Sequence, residues 1–224
     1  MNITLLVGAN ATGKSTRLKT LIDLLSTNLG AEGVDYEYTF FDTKKDKVRT
    51  VVIGRLFPNG FLILGSEAKN HAGWVCLDKA VLSTQDMRTD FYKYVMANDS
   101  DNVKHIVAEG YFNCTSPKMR PEYLRETGFD LINCIFMYYD TVEEFYTRTK
   151  LRSNHDRDMA WAEGCAGWKD NSSFRRSHEK SLEQDRDIRQ RAIRMNIHAP
   201  RETLYEIAVG TNPFDSMEGI TSFN

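Results

Sequence analysis

Twelve residues near the start of the chain, LLVGANATGKST from Leu5 to Thr16, constrain its fold more than any other stretch. The apolar, β-prone run NITLLVG stops at Gly8, and a Gly-Lys-Ser begins five residues later, at Gly13. The following STRLKTLIDLLSTNLG spaces Leu18, Leu21, Ile22 and Leu25 along one helical face, with Gly30 as its stop. The expected order is therefore buried strand, glycine turn, amphipathic helix. Glycines at both ends of the turn let the backbone curl so that successive N–H groups point inward. The helix amino terminus adds its own donors, and together they suit phosphate oxygens. The expected binding loop is Gly8, Ala9, Asn10, Ala11, Thr12, Gly13, Lys14, Ser15 and Thr16.

Strand, GxxxxGKS and helix in this order resemble the P-loop NTPase superfamily. The resemblance implies ATP and Mg2+ as cofactors. Lys14 would reach the β- and γ-phosphates, and the Ser15 hydroxyl would ligate Mg2+. It also implies an α/β, three-layer fold, with a parallel sheet flanked by helices and an Arg-rich lid.

The motif alone does not choose the reaction. No NKxD signature of a GTPase follows, and no strand ends in paired acids. VKHIVAEGYF, Val103 to Phe112, ends its apolar run in a single acid, Glu109-Gly110. That resembles small P-loop kinases acting on nucleosides, nucleotides and other hydroxyl compounds, in which this acid sits beside Mg2+. A third apolar run, Phe129 to Tyr139, leads into DTVEEFYTRTKLRS, which Asp140 or Thr141 can cap as a helix. Arg148 and Arg152 lie four apart on it, as lid arginines do in nucleotide and shikimate-type kinases, where they close over the phosphates. The lid is expected over about 149–176. SHEKSLEQDRDIRQRAIRMN is expected to form a charged, solvent-laced helix, and TLYEIAVG a last strand. In this kinase class the loop after that strand touches the adenine, which makes Gly210 a further cofactor-binding candidate. The tail after Pro213 is expected to be peripheral.

Residues 34–66 depart from the simplest kinase plan. Two apolar runs joined by Pro58-Asn59-Gly60 read as a hairpin, and Tyr36 to Asp42 as another strand. A small antiparallel β insertion is expected there. The stretch around Gly73, Trp74 and Asp78 reads as irregular, and Ser83 or Thr84 as the cap of a helix running to about Met96. An acceptor hydroxyl needs a carboxylate to take its proton. Asp78 is the first candidate, Asp42 the second and Glu67 the third.

The arrangement also resembles bacteriophage kinases for DNA hypermodification, which phosphorylate the hydroxymethyl group of 5-hydroxymethyluracil in DNA. The features carrying that resemblance are the glycine-lysine loop, AEGYF, the sheet insertion and the basic RSNHDRD and SSFRRSHEK stretches. It implies a flipped base and a backbone path among Arg49, Arg55, Lys118, Arg120, Arg175 and Arg176. A nucleotide or other small alcohol is the alternative acceptor. A nucleotide-binding switch with slow hydrolysis is the alternative from another class.

Composition narrows the setting. The 224 residues fit one α/β domain spanning 1–224, and 41% hydrophobic with 27% charged residues is ordinary for a globular protein. A formal net charge of −2 excludes a uniformly basic nucleic-acid binder and leaves DNA contact to a local basic patch. No apolar stretch nears the roughly 20 residues that cross a bilayer. The run Ile3–Val7 has no basic leader before it and is too short for a signal sequence. Cys76, Cys114, Cys134 and Cys165 show no paired spacing. Reduced thiols in the cytoplasm are expected, the host cytoplasm if the chain is phage-encoded.

Overall fold

A computed structural model describes residues 1–9, 11–42, 45–67, 74–75, 85–109, 121–152, 158–165, 189–210 and 220–223. The strands are β1 (Asn2–Gly8), β2 (Val34–Asp42), β3 (Lys47–Leu56), β4 (Phe61–Leu64), β5 (Ser66–Glu67), β6 (Trp74–Val75), β7 (His105–Glu109), β8 (Leu131–Tyr138), β9 (Arg189–Asn196) and β10 (Ile220–Phe223). The helices are α1 (Lys14–Leu29), α2 (Gln85–Asn98), α3 (Pro121–Glu126), α4 (Val142–Arg152), α5 (Met159–Gly164) and α6 (Thr203–Val209). None of the described helices is long and apolar enough to cross a membrane, which says nothing of a β-barrel.

Eight strands form one sheet in the order β10-β9-β8-β1-β7-β4-β3-β2. The inner five, from β9 to β4, run parallel, and β10, β3 and β2 are antiparallel to their neighbours. β1 lies in the middle because its side chains are apolar on both faces, as a strand covered twice requires. Ile3, Leu5 and Val7 enter one core with Phe91, Tyr92 and Val95 of α2 and Leu124 of α3. Leu6 enters the other with Leu18, Leu21, Ile22 and Leu25 of α1, Phe145 of α4, Ala162 of α5 and Leu204 and Ile207 of α6. The molecule is therefore α/β in three layers. α1 ends at Gly30, whose φ of 59° suits glycine and whose N–H reaches back to the last turn.

The insertion after α1 differs from the expectation in one respect. β2, β3 and β4 do form consecutive antiparallel pairs, and the Pro58-Asn59-Gly60 turn closes with Gly60 at φ 86°. However, β4 also pairs in parallel with β7, so the hairpins extend the main sheet. The only separate sheet among the described residues is the short pair β5–β6, which gives Trp74 a strand position opposite Glu67.

Four further expectations are corrected. TLYEIAVG is helix α6, not a strand: its buried residues Thr203, Leu204, Ile207 and Ala208 recur at helical spacing. The second half of the expected charged helix is β9, which lies between β8 and β10. Within 149–176, α5 is packed rather than free: Ala162 is fully buried, and Trp161 stacks on Phe145 at 5.6 Å. The tail is also more than peripheral, since β10 pairs with β9 across four residues.

Candidate functional site

The carboxyl ends of parallel strands are where an α/β sheet opens, and the loop from Gly8 to Ser15 sits there between β1 and α1. Two left-handed residues curl it, Ala11 at φ 62° and Gly13 at φ 84°. A Cβ on Gly13 would meet no atom within 4 Å, so this glycine answers to its φ. Gly8 answers to crowding: a Cβ there would lie 2.9 Å from Met137 Cβ and 3.1 Å from Thr12 Oγ1. The loop is fastened from within. The buried Thr12 hydroxyl donates to Ala9 O at 2.9 Å, and Lys14 Nζ donates to Gly8 O at 2.9 Å and Ala9 O at 2.8 Å. α1 carries no acidic residue of its own in its first turn, and the positive end of its dipole suits an anion.

β7 runs beside β1 with Leu6 opposite Glu109. The register carries that glutamate to the strand end, where Ser15 Oγ donates to Glu109 Oε1 at 2.9 Å. Glu109 is buried. A hydroxyl and a carboxylate 94 residues apart in sequence are thus brought together beside the Lys14 loop.

Other candidates are placed elsewhere. Thr141 Oγ1 caps α4 by accepting from Glu144 N at 3.2 Å. Arg148, one turn on, pairs with Glu144 at 3.1 Å, and the same carboxylate meets His198 Nε2 at 3.0 Å. Arg152 closes α4. Asp42 ends β2, four strand spacings or about 19 Å across the sheet from β1, and is bound by Arg49 at 2.9 Å. Glu67 belongs to the separate β5–β6 pair, is 59% exposed and stands 3.5 Å from Arg55 of β3. Gly210 is the left-handed cap of α6, at φ 74°, rather than part of a loop after a strand. Asn10, Asp78, Lys118, Arg120, Arg175 and Arg176 lie outside the described residues.

A family model for 5-hmdU DNA kinase 2 matches residues 1–219. The chain belongs to the 5-hmdU DNA kinase 2 family. Within this family, the 5-hmdU DNA kinase 2 of Salmonella phage ViI is 25% identical over 182 residues, which are 80% of this chain and 56% of that protein. The chain thus spans about half the length of the curated relative it matches. A solved structure of the YGR205w protein aligns over 99% of this chain and 89% of its own, at 10% identity and a TM-score of 0.33.

Two groups were not anticipated in this family member's sequence. Arg17, one turn into α1, is buried and donates to Ile197 O at 3.0 Å, Ala199 O at 2.6 Å and Pro200 O at 2.5 Å. Burial and the nearby Arg201 lower its pKa to about 10. It falls one turn before Leu21 on the buried stripe of α1, and a cation at that spacing was the available signal. The second is a polar cluster under the sheet's centre. Thr4 Oγ1 meets His105 Nε2 at 2.8 Å and accepts from Asn133 Nδ2 at 3.2 Å, with the His105 ring stacked on Phe61. Burial pushes the His105 pKa down to about 4.

Proposed function

We propose that the chain is an ATP- and Mg2+-dependent phosphotransferase that moves a γ-phosphoryl group to the 5-hydroxymethyl oxygen of 5-hydroxymethyluracil in DNA. One observation carries the chemical half: the Ser15–Glu109 pair at the mouth of the Lys14 loop. Family membership and the name of the phage relative support the acceptor.

Loop amides and the α1 amino terminus bind the β- and γ-phosphates, and Lys14 exchanges its contacts to Gly8 O and Ala9 O for phosphate oxygens. Mg2+ fits the residues present. It keeps most of its water and takes one or two protein ligands plus phosphate oxygens, which a serine hydroxyl and one carboxylate supply. Among the described residues no cluster of three His, Cys, Asp or Glu competes as a metal site. When bound, the ion neutralises charge on the transferring group.

The acceptor oxygen attacks the γ-phosphorus, the bond to the ADP oxygen breaks, and the hydroxyl proton leaves to a carboxylate. Asp78 is the first candidate for that base, Asp42 the second and Glu67 the third. Arg148 and Arg152 serve as cations closing over the phosphates, for which Arg148 would exchange Glu144 for phosphate. Such a DNA kinase would act in the infected host's cytoplasm.

The test is transfer of labelled phosphate from ATP to oligonucleotides containing 5-hydroxymethyluracil and to the free nucleoside and nucleotide. Label in DNA alone is expected, with at least a thousandfold loss in Lys14→Ala. Label in mononucleotides alone would assign a small-molecule kinase. Tight ATP binding without transfer to any acceptor would assign a switch. Normal transfer by Lys14→Ala would remove the loop from the mechanism.

A further inference from the structure

The outermost hairpin of the sheet, β2–β3, is anchored on one face and open on the other. Tyr36, Tyr38 and Phe40 lie on the anchored face, where Tyr38 stacks on Phe40 and meets Phe91 and Tyr94 of α2 at 5.2 Å. On the opposite face Phe41 and Val48 are cross-strand partners, 55% and 66% exposed, with Val52 further along at 40%. Of the seven large hydrophobics exposed among the described residues, three, Phe41, Val48 and Val52, share this open face. That concentration marks a contact surface rather than scattered exposure.

The hairpin also points to the right edge of the sheet. Through β3 and β4, Tyr36 is level with Leu64 and hence with Ala108 of β7. Phe41 lies five residues beyond Tyr36, and Glu109 one beyond Ala108. The tip therefore stands about four residues, or roughly 13 Å, further out than Glu109, and three strand spacings or roughly 14 Å to its side. It extends past the sheet edge that carries the Lys14 loop.

Its charge departs from that of the whole chain. Asp42 and 45–49 hold Lys45, Lys47 and Arg49 against Asp42 and Asp46, in a molecule of formal net charge −2. Asp42 is engaged by Arg49, while Lys45 and Lys47 are exposed.

We infer that the β2–β3 tip docks the DNA duplex beside the target base, with Phe41 and Val48 as an apolar wedge and Lys45 and Lys47 on the flanking phosphates. This rests on the reading of the chain as a DNA kinase. A base whose hydroxymethyl group must reach Ser15 and Glu109 has to leave the stack. Proteins that unstack a duplex insert Phe, Leu or Ile beside cations that hold the backbone. The hairpin offers both, stiffened by its packed face and by the Thr39–Thr50 hydroxyl bond of 2.8 Å.

The test uses the full chain with duplex and single-stranded oligonucleotides of one sequence, each with 2-aminopurine next to 5-hydroxymethyluracil. In Phe41→Ala and in Val48→Ser the ratio of duplex to single-strand kcat/KM is expected to fall at least tenfold, and the duplex-dependent rise in 2-aminopurine fluorescence to disappear. In Lys45→Glu and Lys47→Glu the salt slope of log K for duplex binding is expected to shrink by about 1 each. Unfolding midpoints check that the variants fold, which exposed positions favour. An unchanged ratio with an unchanged fluorescence rise overturns the inference while leaving the kinase reading in place. So does a wild-type dimer, seen by sedimentation, that Phe41→Ala converts to monomer, since the face would then belong to a second copy. Failure of the wild type to phosphorylate even single-stranded DNA overturns the kinase reading itself.

Discussion

Acidification should weaken the fold through His105, and the size of the effect follows from its surroundings. The ring, carried by the first residue of β7, is buried, bonded to Thr4 of β1 and stacked on Phe61 of β4. Burial, aided by the positive charge at the Met1 nitrogen, lowers its pKa from the ordinary 6.5 to about 4. Below pH 6.5 the unfolded chain takes up a proton that the folded chain refuses until about pH 4. The unfolded state then binds more protons, so stability falls as pH drops through that window, and the loss is complete below it. A 2.5-unit difference corresponds to about 3 kcal/mol, a sizeable part of the roughly 5–15 kcal/mol that holds a domain together. Urea unfolding of the wild type and of His105→Gln at pH 7.5 and pH 4.5 isolates the term, because the carboxylates titrate in both proteins. The stability difference between them should shift by about 2–3 kcal/mol against the wild type on acidification. A difference constant to within about 1 kcal/mol would refute the argument.

Arg17→Met should destabilise by at least about 3 kcal/mol, since three carbonyls lose their donor and each buried unsatisfied group costs about 1–3 kcal/mol; Arg17→Lys should recover part of this in the same urea titration. Ser15→Ala should raise the Mg2+ concentration for half-maximal phosphate transfer at least tenfold while leaving the urea midpoint within about 0.5 M, measured by metal titration at saturating ATP. An unchanged metal requirement would separate Ser15 from the ion.

The glycine-lysine loop was legible because its residues are contiguous and the flanking periodicities agree: Leu18, Leu21, Ile22 and Leu25 are all buried, as their spacing requires. Glu109 was legible as the acid ending an apolar run, and its bond to Ser15 follows once β7 pairs with β1. Lateral position was not legible. Asp42 and Glu67 both end strands and read alike along the chain, yet Asp42 ends the outermost strand of the main sheet and Glu67 belongs to the separate β5–β6 pair. α6 was misread because Tyr205, Ile207 and Val209 favour strands singly, whereas burial follows Leu204, Ile207 and Ala208 at helical steps. β9 was misread because Arg189, Arg191 and Arg194 suggest a solvated face. Arg194 instead lies over the Tyr138 ring at 4.3 Å, and Ile193 and Met195 carry the burial. Arg17 and His105 were missed because a buried charge or imidazole shows itself only through partners far away in sequence.

The central seat of β1 has a consequence for how the chain is made. Its neighbours, β7 and β8, begin about 100 and 130 residues later. At roughly 5–20 residues per second, a ribosome would hold Leu5, Leu6 and Val7 without their final partners for about 5–25 s. Any nascent polypeptide interrupted before His105 carries the glycine-lysine bend but neither flanking strand, and its first apolar segment is then open to chaperones, or to a neighbouring copy, instead of to its own sheet.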